Sequence, residues 1–184
     1  IFYNDGSIPT TAATADVIIA GEATSNAFGS SLAVGDLNAD GKVDLVVGAS
    51  GYSSSTGRAY IFYNDGSIPT TAATADVIIT GTSGSSFGIR VLSGDLNSDG
   101  EYDLIVGSSL DVYIFYNDGS YPATLASADI TITLASNFLL AMAVGDLNTD
   151  GRQDLLLSSY LYYYDAFSGV VATTTLTAFY NDGS

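Results

Sequence analysis

Asp36-Leu37-Asn38-Ala39-Asp40-Gly41-Lys42-Val43-Asp44, followed at once by Leu45-Val46-Val47-Gly48-Ala49, is the stretch on which the fold turns. Its first part obeys the pattern D-x-N-x-D-G-x-x-D, and its second is a short apolar run of the strand kind. The pattern returns from Asp95 to Asp103 and from Asp146 to Asp154, each time ahead of another apolar run. Alternation of Asp and Asn with other residues lets their oxygens turn to one side of a loop. Gly at the sixth position permits the backbone reversal that brings the ninth back to the same place. Oxygen-only loops of this kind suit a hard cation, and calcium takes about six to eight oxygens at about 2.3–2.6 Å. The expected ligands are the side chains of Asp36, Asn38, Asp40 and Asp44 with the backbone carbonyl of Lys42. In the second loop they are Asp95, Asn97, Asp99 and Asp103 with the carbonyl of Glu101; in the third, Asp146, Asn148, Asp150 and Asp154 with that of Arg152. Three carboxylates around a doubly charged ion leave a net charge of about −1 per site, which favours binding without a buried countercharge.

Two other readings of the loops compete. An EF-hand shares the first six positions but needs an acid at the twelfth and helices on both sides. Here the twelfth position holds Val47, Val106 or Leu157, and the flanks are strand-like. A plain Asn-x-Asp-Gly hairpin turn explains one such loop. It does not explain three with every side-chain position intact.

Around the loops the whole chain is repetitive. Residues 1–19, IFYNDGSIPTTAATADVII, recur unchanged at 61–79, a looser copy fills 114–132, and AFYNDGS closes the chain at 178–184. The copies are about 60, 53 and 64 residues apart, a period that suits a four-stranded unit rather than a helical hairpin. The apolar runs are short, rich in Val, Ile, Leu and Tyr, and bounded by Gly, Asn, Asp or Ser, so strands and turns are expected. In the first full unit they are expected at 31–36, 43–49, 58–64 and 74–80, and in the second at 89–95, 102–108, 111–117 and 128–134. The third unit begins with 140–146 and 153–158 and is expected to become irregular through Tyr160, Tyr162, Tyr163 and Tyr164, a cluster read as a half-buried strand face rather than a ligand platform. Residues 1–20 are expected to supply strands three and four of a unit whose first half is missing, as in a processed or truncated segment. The NDGS motifs carry one acid each and read as Asp-Gly turns.

Composition narrows the function. Of 184 residues only 24 are charged, 20 of them acidic, and the net charge is −16. Four basic residues make nucleic acid a poor partner. Without Cys or His, thiol catalysis, disulfides, zinc sites and Ser-His-Asp chemistry are excluded. No apolar run reaches the roughly 18 residues that a membrane span needs.

The order Phe28-Gly29, Val34-Gly35-Asp36, the acidic loop, Asp44-Leu45-Val46-Val47-Gly48-Ala49 and Ala59-Tyr60-Ile61-Phe62-Tyr63 resembles an FG-GAP repeat, the blade of integrin α-subunit propellers and of many bacterial surface proteins. Phe87-Gly88, the loop at Asp95 and Leu104-Ile105-Val106-Gly107 match again; the third copy keeps Phe138 and its loop but has Leu139 in place of Gly. The resemblance implies an all-β fold, a β-propeller-like array of about three to three and a half four-stranded blades with calcium-binding hairpin loops. Residues 1–184 then form one repeat domain, with an orphan half blade at 1–20, blades at 28–80 and 87–134, and a divergent blade at 138–184. Three and a half blades do not close a ring, since closed propellers use about four to eight.

The function expected on these grounds is a non-enzymatic extracellular or cell-surface module, of bacterial type, structural or adhesive and stiffened by calcium, with a glycan or protein ligand open to it. A carbohydrate-binding propeller is the alternative, although the chain has no Trp and the Tyr of the repeated motif is explained by packing. An enzyme built on paired carboxylates fits less well, because each loop fills its ion's coordination; Glu22, Glu101, Asp111 and Asp165 are the acids outside the repeat pattern. Self-association through the end strands is expected, head to tail, toward a filament or a closed ring.

Overall fold

The computed structural model describes all residues except 4, 7–8, 135–137, 166–168 and 182–184, and side chains outside these and 161–173. The first sheet is an antiparallel meander of β1 (Phe28–Gly35), β2 (Asp44–Ala49), β3 (Arg58–Phe62) and β4 (Val77–Thr80), in that order. The second repeats it with β5 (Arg90–Gly94), β6 (Asp103–Gly107), β7 (Asp111–Phe115) and β8 (Ile130–Thr133). All eight lie within two or three residues of their expected places, β4 and β8 starting later. Three short 3-10 turns, Ala12–Thr14, Ala72–Thr74 and Leu125–Ser127, mark the three copies of the repeated stretch.

The third sheet departs from expectation. It has β9 (Phe138–Gly145), β10 (Asp154–Asp165) and β11 (Gly169–Phe179), in the order β11-β10-β9, and no fourth strand among the described residues. The stretch expected to be irregular is a long regular ladder, running from Leu155 opposite Phe179 to Asp165 opposite Gly169. It leaves the repeat pattern, but its Tyr, Val and Thr favour a strand regardless of that pattern. Tyr160 is half-buried and stacks on Phe138 with ring centroids 5.5 Å apart; the side chains of Tyr162, Tyr163 and Tyr164 lie outside the described set.

Residues 1–20 also depart. Among those described, no strand forms, although their sequence is that of β3 and β4. One antiparallel pair survives: Ile1 and Val17 exchange hydrogen bonds of 2.6 and 3.3 Å, and the Tyr3 N–H donates to Asp16 at 2.7 Å. The same N–H to Asp bond recurs from Tyr63 to Asp76 and from Tyr116 to Asp129. A ladder needs a partner, and among the described residues no counterpart of β2 lies beside residues 1–3. Instead Ala20 bridges Thr71 of the first blade.

The core lies between sheets, in three layers. Strand alternation sends Val46, Ala59 and Ile61 toward the second blade and Val47, Tyr60 and Phe62 toward the N-terminal stretch. Likewise Leu104, Val106 and Phe115 face the first blade, while Ile105, Val112 and Ile114 face the third. Each full blade is thus apolar on both faces, which is why its strands read as near-continuous apolar runs. Two glycines set the spacing between the first two blades. A side chain on Gly88, where φ is +82°, would collide with the Arg58 carbonyl, and one on Gly48 with the Gly88 carbonyl. The Phe-Gly and Val-Gly-Ala signatures are therefore two sides of one close backbone approach. In the third blade Leu139 stands in place of that Gly and packs, 5% exposed, over Gly107.

Candidate metal centres

Each acidic loop joins the first two strands of a sheet and follows one course. Asp36 accepts the N–H groups of Asp40 (3.1 Å) and Gly41 (2.8 Å), one on each carboxylate oxygen. Asn38 Oδ1 shares the Asp40 N–H at 3.1 Å, and Asp40 Oδ1 accepts the Lys42 N–H at 2.8 Å. The same four bonds form around Asp95, Asn97 and Asp99 and around Asp146, Asn148 and Asp150. Short Asp and Asn side chains bond nearby backbone N–H groups readily, so the loop builds itself locally. The backbone is left-handed at the sixth position (Gly41, Gly100 and Gly151) and also at the fourth, where Ala39, Ser98 and Thr149 have φ of 57°, 63° and 63°. The fourth position escapes a reading of the sequence because none of the three residues advertises that conformation.

The ninth position reaches beyond its own loop. Asp44, Asp103 and Asp154 are at most 1% exposed. Asp44 takes the N–H of Leu37 on one oxygen and that of Asn64 on the other, both at 2.8 Å. Asp103 takes those of Leu96 (2.7 Å) and Asn117 (3.0 Å), and Asp154 those of Leu147 and Asn181, both 2.9 Å. Burial pushes the Asp103 carboxyl above the usual range; the charges of Asp99 and Asp95 add to this, while the two N–H groups oppose it. At Asp40 the backbone N–H of Lys42 and then its ammonium, 3.1 Å away, hold the carboxyl below that range.

The structure therefore gathers the expected side chains of each loop along one short turn. Among the described residues it does not draw three or more acidic groups close enough to hold a metal ion as they stand. Their oxygens instead face the loop's own N–H groups. Each such oxygen has a second lone pair, so the donor set still fits a hard, oxygen-seeking cation. Lys42, Glu101 and Arg152 occupy the seventh position of their loops.

Sequence reasoning missed the Asn of the repeated Tyr-Asn-Asp-Gly motif. The turns are present, with Gly66 and Gly119 at φ of 126° and 102°. The Asn, however, ties blades together. Asn117 Nδ2 donates to the Leu37 carbonyl in the first blade's loop at 3.2 Å, and Asn181 Nδ2 donates to Leu96 O at 2.9 Å and Ser98 Oγ at 3.1 Å in the second's. Recurrence of Asn right after the Tyr that follows each strand's closing Phe was the available signal, since a turn needs only the Asp-Gly. Asn117 is 5% exposed. Replacing it with Ala removes this clamp and should cost about 1–2 kcal/mol in urea unfolding; an unchanged midpoint would show that the bond contributes nothing.

Glu22, one of the acids outside the repeats, is structural: its Oε1 accepts Arg58 Nη1 at 2.7 Å and the Tyr60 hydroxyl at 2.8 Å, while Arg58 lies 3.6 Å from the centre of the Tyr52 ring. Asp111 accepts the hydroxyls of Tyr113 and Thr133.

Stacked antiparallel sheets with an acidic loop between the first two strands of each define a propeller-type repeat, and comparison with known proteins agrees. Residues 28–62 match the FG-GAP repeat and residues 95–157 the FG-GAP-like repeat. The chain belongs to the FG-GAP repeat family, with blades of the integrin α-subunit type. Integrin alpha-7 of Homo sapiens is 33% identical over 159 residues, covering 78% of this chain and 13% of that protein. Phosphatidylinositol-glycan-specific phospholipase D of Rattus norvegicus is 36% identical over 152 residues, covering 70% and 18%. Integrin alpha-IIb of Mus musculus is 29% identical over 180 residues, covering 85% and 17%. The chain spans less than a fifth of the length of these relatives.

Proposed function

We propose that the three loops bind calcium, one ion each, and that the chain is a non-enzymatic structural or adhesive module of an extracellular or cell-surface protein. The observation that carries this reading is the recurrence of one oxygen-rich loop, with the same side chains and the same backbone course, in all three blades. Similarity to integrin α-subunits supports the adhesive role, with a protein as the class of ligand. Asp36, Asn38, Asp40 and Asp44 would hold the ion in the first loop with the Lys42 carbonyl, as would the matching residues from Asp95 and from Asp146 in the other two. The ion supplies charge neutralisation and a cross-link within the loop; the chain supplies the oxygens and their fixed order. Calorimetric titration with calcium tests this. Three equivalents of binding are expected, and absence of heat at millimolar calcium sinks it.

The loops should differ in affinity. Lys42 places an ammonium on Asp40, whereas Asn97 and Asn148 point an uncharged amide at Asp99 and Asp150. Glu101 adds a negative charge in the second loop. Lys42→Glu should therefore tighten the first site, by about fivefold at low salt and less at high salt. No change in any site would show that the ammonium swings aside at no cost.

Assembly is proposed as the second element. In the third sheet β11 is an outer strand, with Leu176 70% exposed, and residues 16–20 carry the sequence of a fourth strand. The N-terminal stretch of one molecule would complete the third blade of the next, giving a filament or a closed ring. Light scattering should show association that is lost on deleting residues 1–20. A full chain that stays monomeric at high concentration overturns this element alone.

A further inference from the structure

The hydrogen bonds of the three loops join end to end. In the first loop the Leu37 N–H donates to Asp44 Oδ2 at 2.8 Å, and the Leu37 carbonyl accepts Asn117 Nδ2 at 3.2 Å. The Asn117 N–H donates to Asp103 Oδ1 at 3.0 Å, and the other oxygen of Asp103 takes the Leu96 N–H at 2.7 Å. From Leu96 the pattern starts again. Its carbonyl accepts Asn181 Nδ2 at 2.9 Å, and the Asn181 N–H donates to Asp154 Oδ1 at 2.9 Å. The ninth positions of all three loops thus lie on one line of hydrogen bonds that crosses both junctions between blades. Its first half is buried, with Leu37, Asp44, Asp103 and Asn117 at most 5% exposed. Bonds in such a setting are stronger than in water and polarise one another. Leu37 and Leu96 occupy the second position of their loops, between the first and third expected ligands.

We propose that this line couples the loops, so that filling one tightens its neighbours for the cation. The proposal rests on the calcium reading above and adds the regulation of those sites. Among the described residues no three acidic groups stand close enough to hold an ion, so filling a loop re-aims its ninth carboxylate. Re-aiming Asp103 fixes anew the groups that it holds. One of them is Asn117, whose amide in turn fixes Leu37 in the first loop. Part of the freedom that Asp36 and Asn38 lose on binding is then lost beforehand, and the next cation binds tighter. Such coupling is reciprocal. It should be stronger between the first and second loops, where the line is buried, than between the second and third, where Asn181 is half-buried.

Calorimetric titration of the full chain with calcium, read together with backbone N–H resonances, tests this. Asp99→Ala empties the second loop and should weaken the first about fivefold and the third by less. Charge alone predicts the opposite sign, because an empty second loop with two carboxylates is more negative than a filled one with three. Asn117→Ala should keep three equivalents, yet in that background Asp99→Ala should no longer weaken the first loop. Asn181→Ala should uncouple the third loop in the same way and leave the first pair coupled. In Asp40→Ala, whose first loop cannot fill, the Leu37 N–H resonance should still shift as the second loop fills, and adding Asn117→Ala should abolish that shift. Three equivalents that ignore Asp99→Ala, or a Leu37 shift that survives Asn117→Ala, overturn the coupling and leave the calcium reading standing. Absence of any calcium binding overturns both.

Discussion

Chelating divalent cations should lower the stability of the chain by about 4 kcal/mol. A site held at ten times its dissociation constant contributes about 1.4 kcal/mol, and the three loops act together at that concentration. Against a usual total of about 5–15 kcal/mol this is a large share. For a domain of this size the loss lowers the thermal midpoint by about 10 °C. The reason is visible in the loops: without an ion, carboxylates of one sign crowd a short turn, and Asp103 is held above its usual range by burial and by Asp99 and Asp95. Bound calcium needs these groups ionised, so the stabilisation is present at neutral pH and fades as acid protonates them. Identical melting curves with and without chelator would remove the calcium reading.

Asp103→Leu should cost about 4 kcal/mol even in the absence of calcium. The carboxylate is fully buried and accepts the N–H groups of Leu96 and Asn117. Leucine fills part of the space but leaves both donors unpaired in an apolar layer, at about 1–3 kcal/mol each. Asp99→Ala gives the contrast: Asp99 is exposed, so its loss should remove one calcium equivalent and change the ion-free midpoint little. Chemical denaturation in chelator separates the two roles. Equal ion-free stability of the two variants would show that the ninth position is not the fastener its hydrogen bonds suggest.

The strands of the first two blades were legible because turns punctuate them at a similar spacing, and the apolar runs are bounded by Gly, Asn, Asp or Ser. The course of the loops was legible because Asp, Asn and Gly recur at fixed positions in a single line of sequence. What stayed hidden depends on partners far along the chain. Asn117 reaches Leu37, 80 residues away, and nothing local to a turn sequence reveals such a bond. Gln153 looks like a neutral loop residue until the neighbouring blade buries its oxygen. The Tyr-rich stretch from 160 to 165 was obscured for the opposite reason: its strand propensity is plain, but it lacks the family pattern. Residues 1–19 show most directly how far sequence goes. Their 3-10 turn at Ala12–Thr14 matches the one at Ala72–Thr74, because its bonds are local. Their strands do not match β3 and β4, because those depend on β2.

That duplication bears on how the chain finds its fold. During folding, β2 meets two segments of identical sequence, each able in side-chain terms to lie against it. Pairing with the earlier copy closes a loop of about 40 residues instead of about ten, a handicap of only about 1 kcal/mol. Arg58-Ala59-Tyr60 leads into the later copy and adds contacts of its own to that pairing. Tyr60 is fully buried, rests 5.4 Å from the Phe28 ring and holds Glu22. Those contacts strengthen the pairing with the later copy. Weakening them should show itself as a slow, minor refolding phase before any loss of final stability.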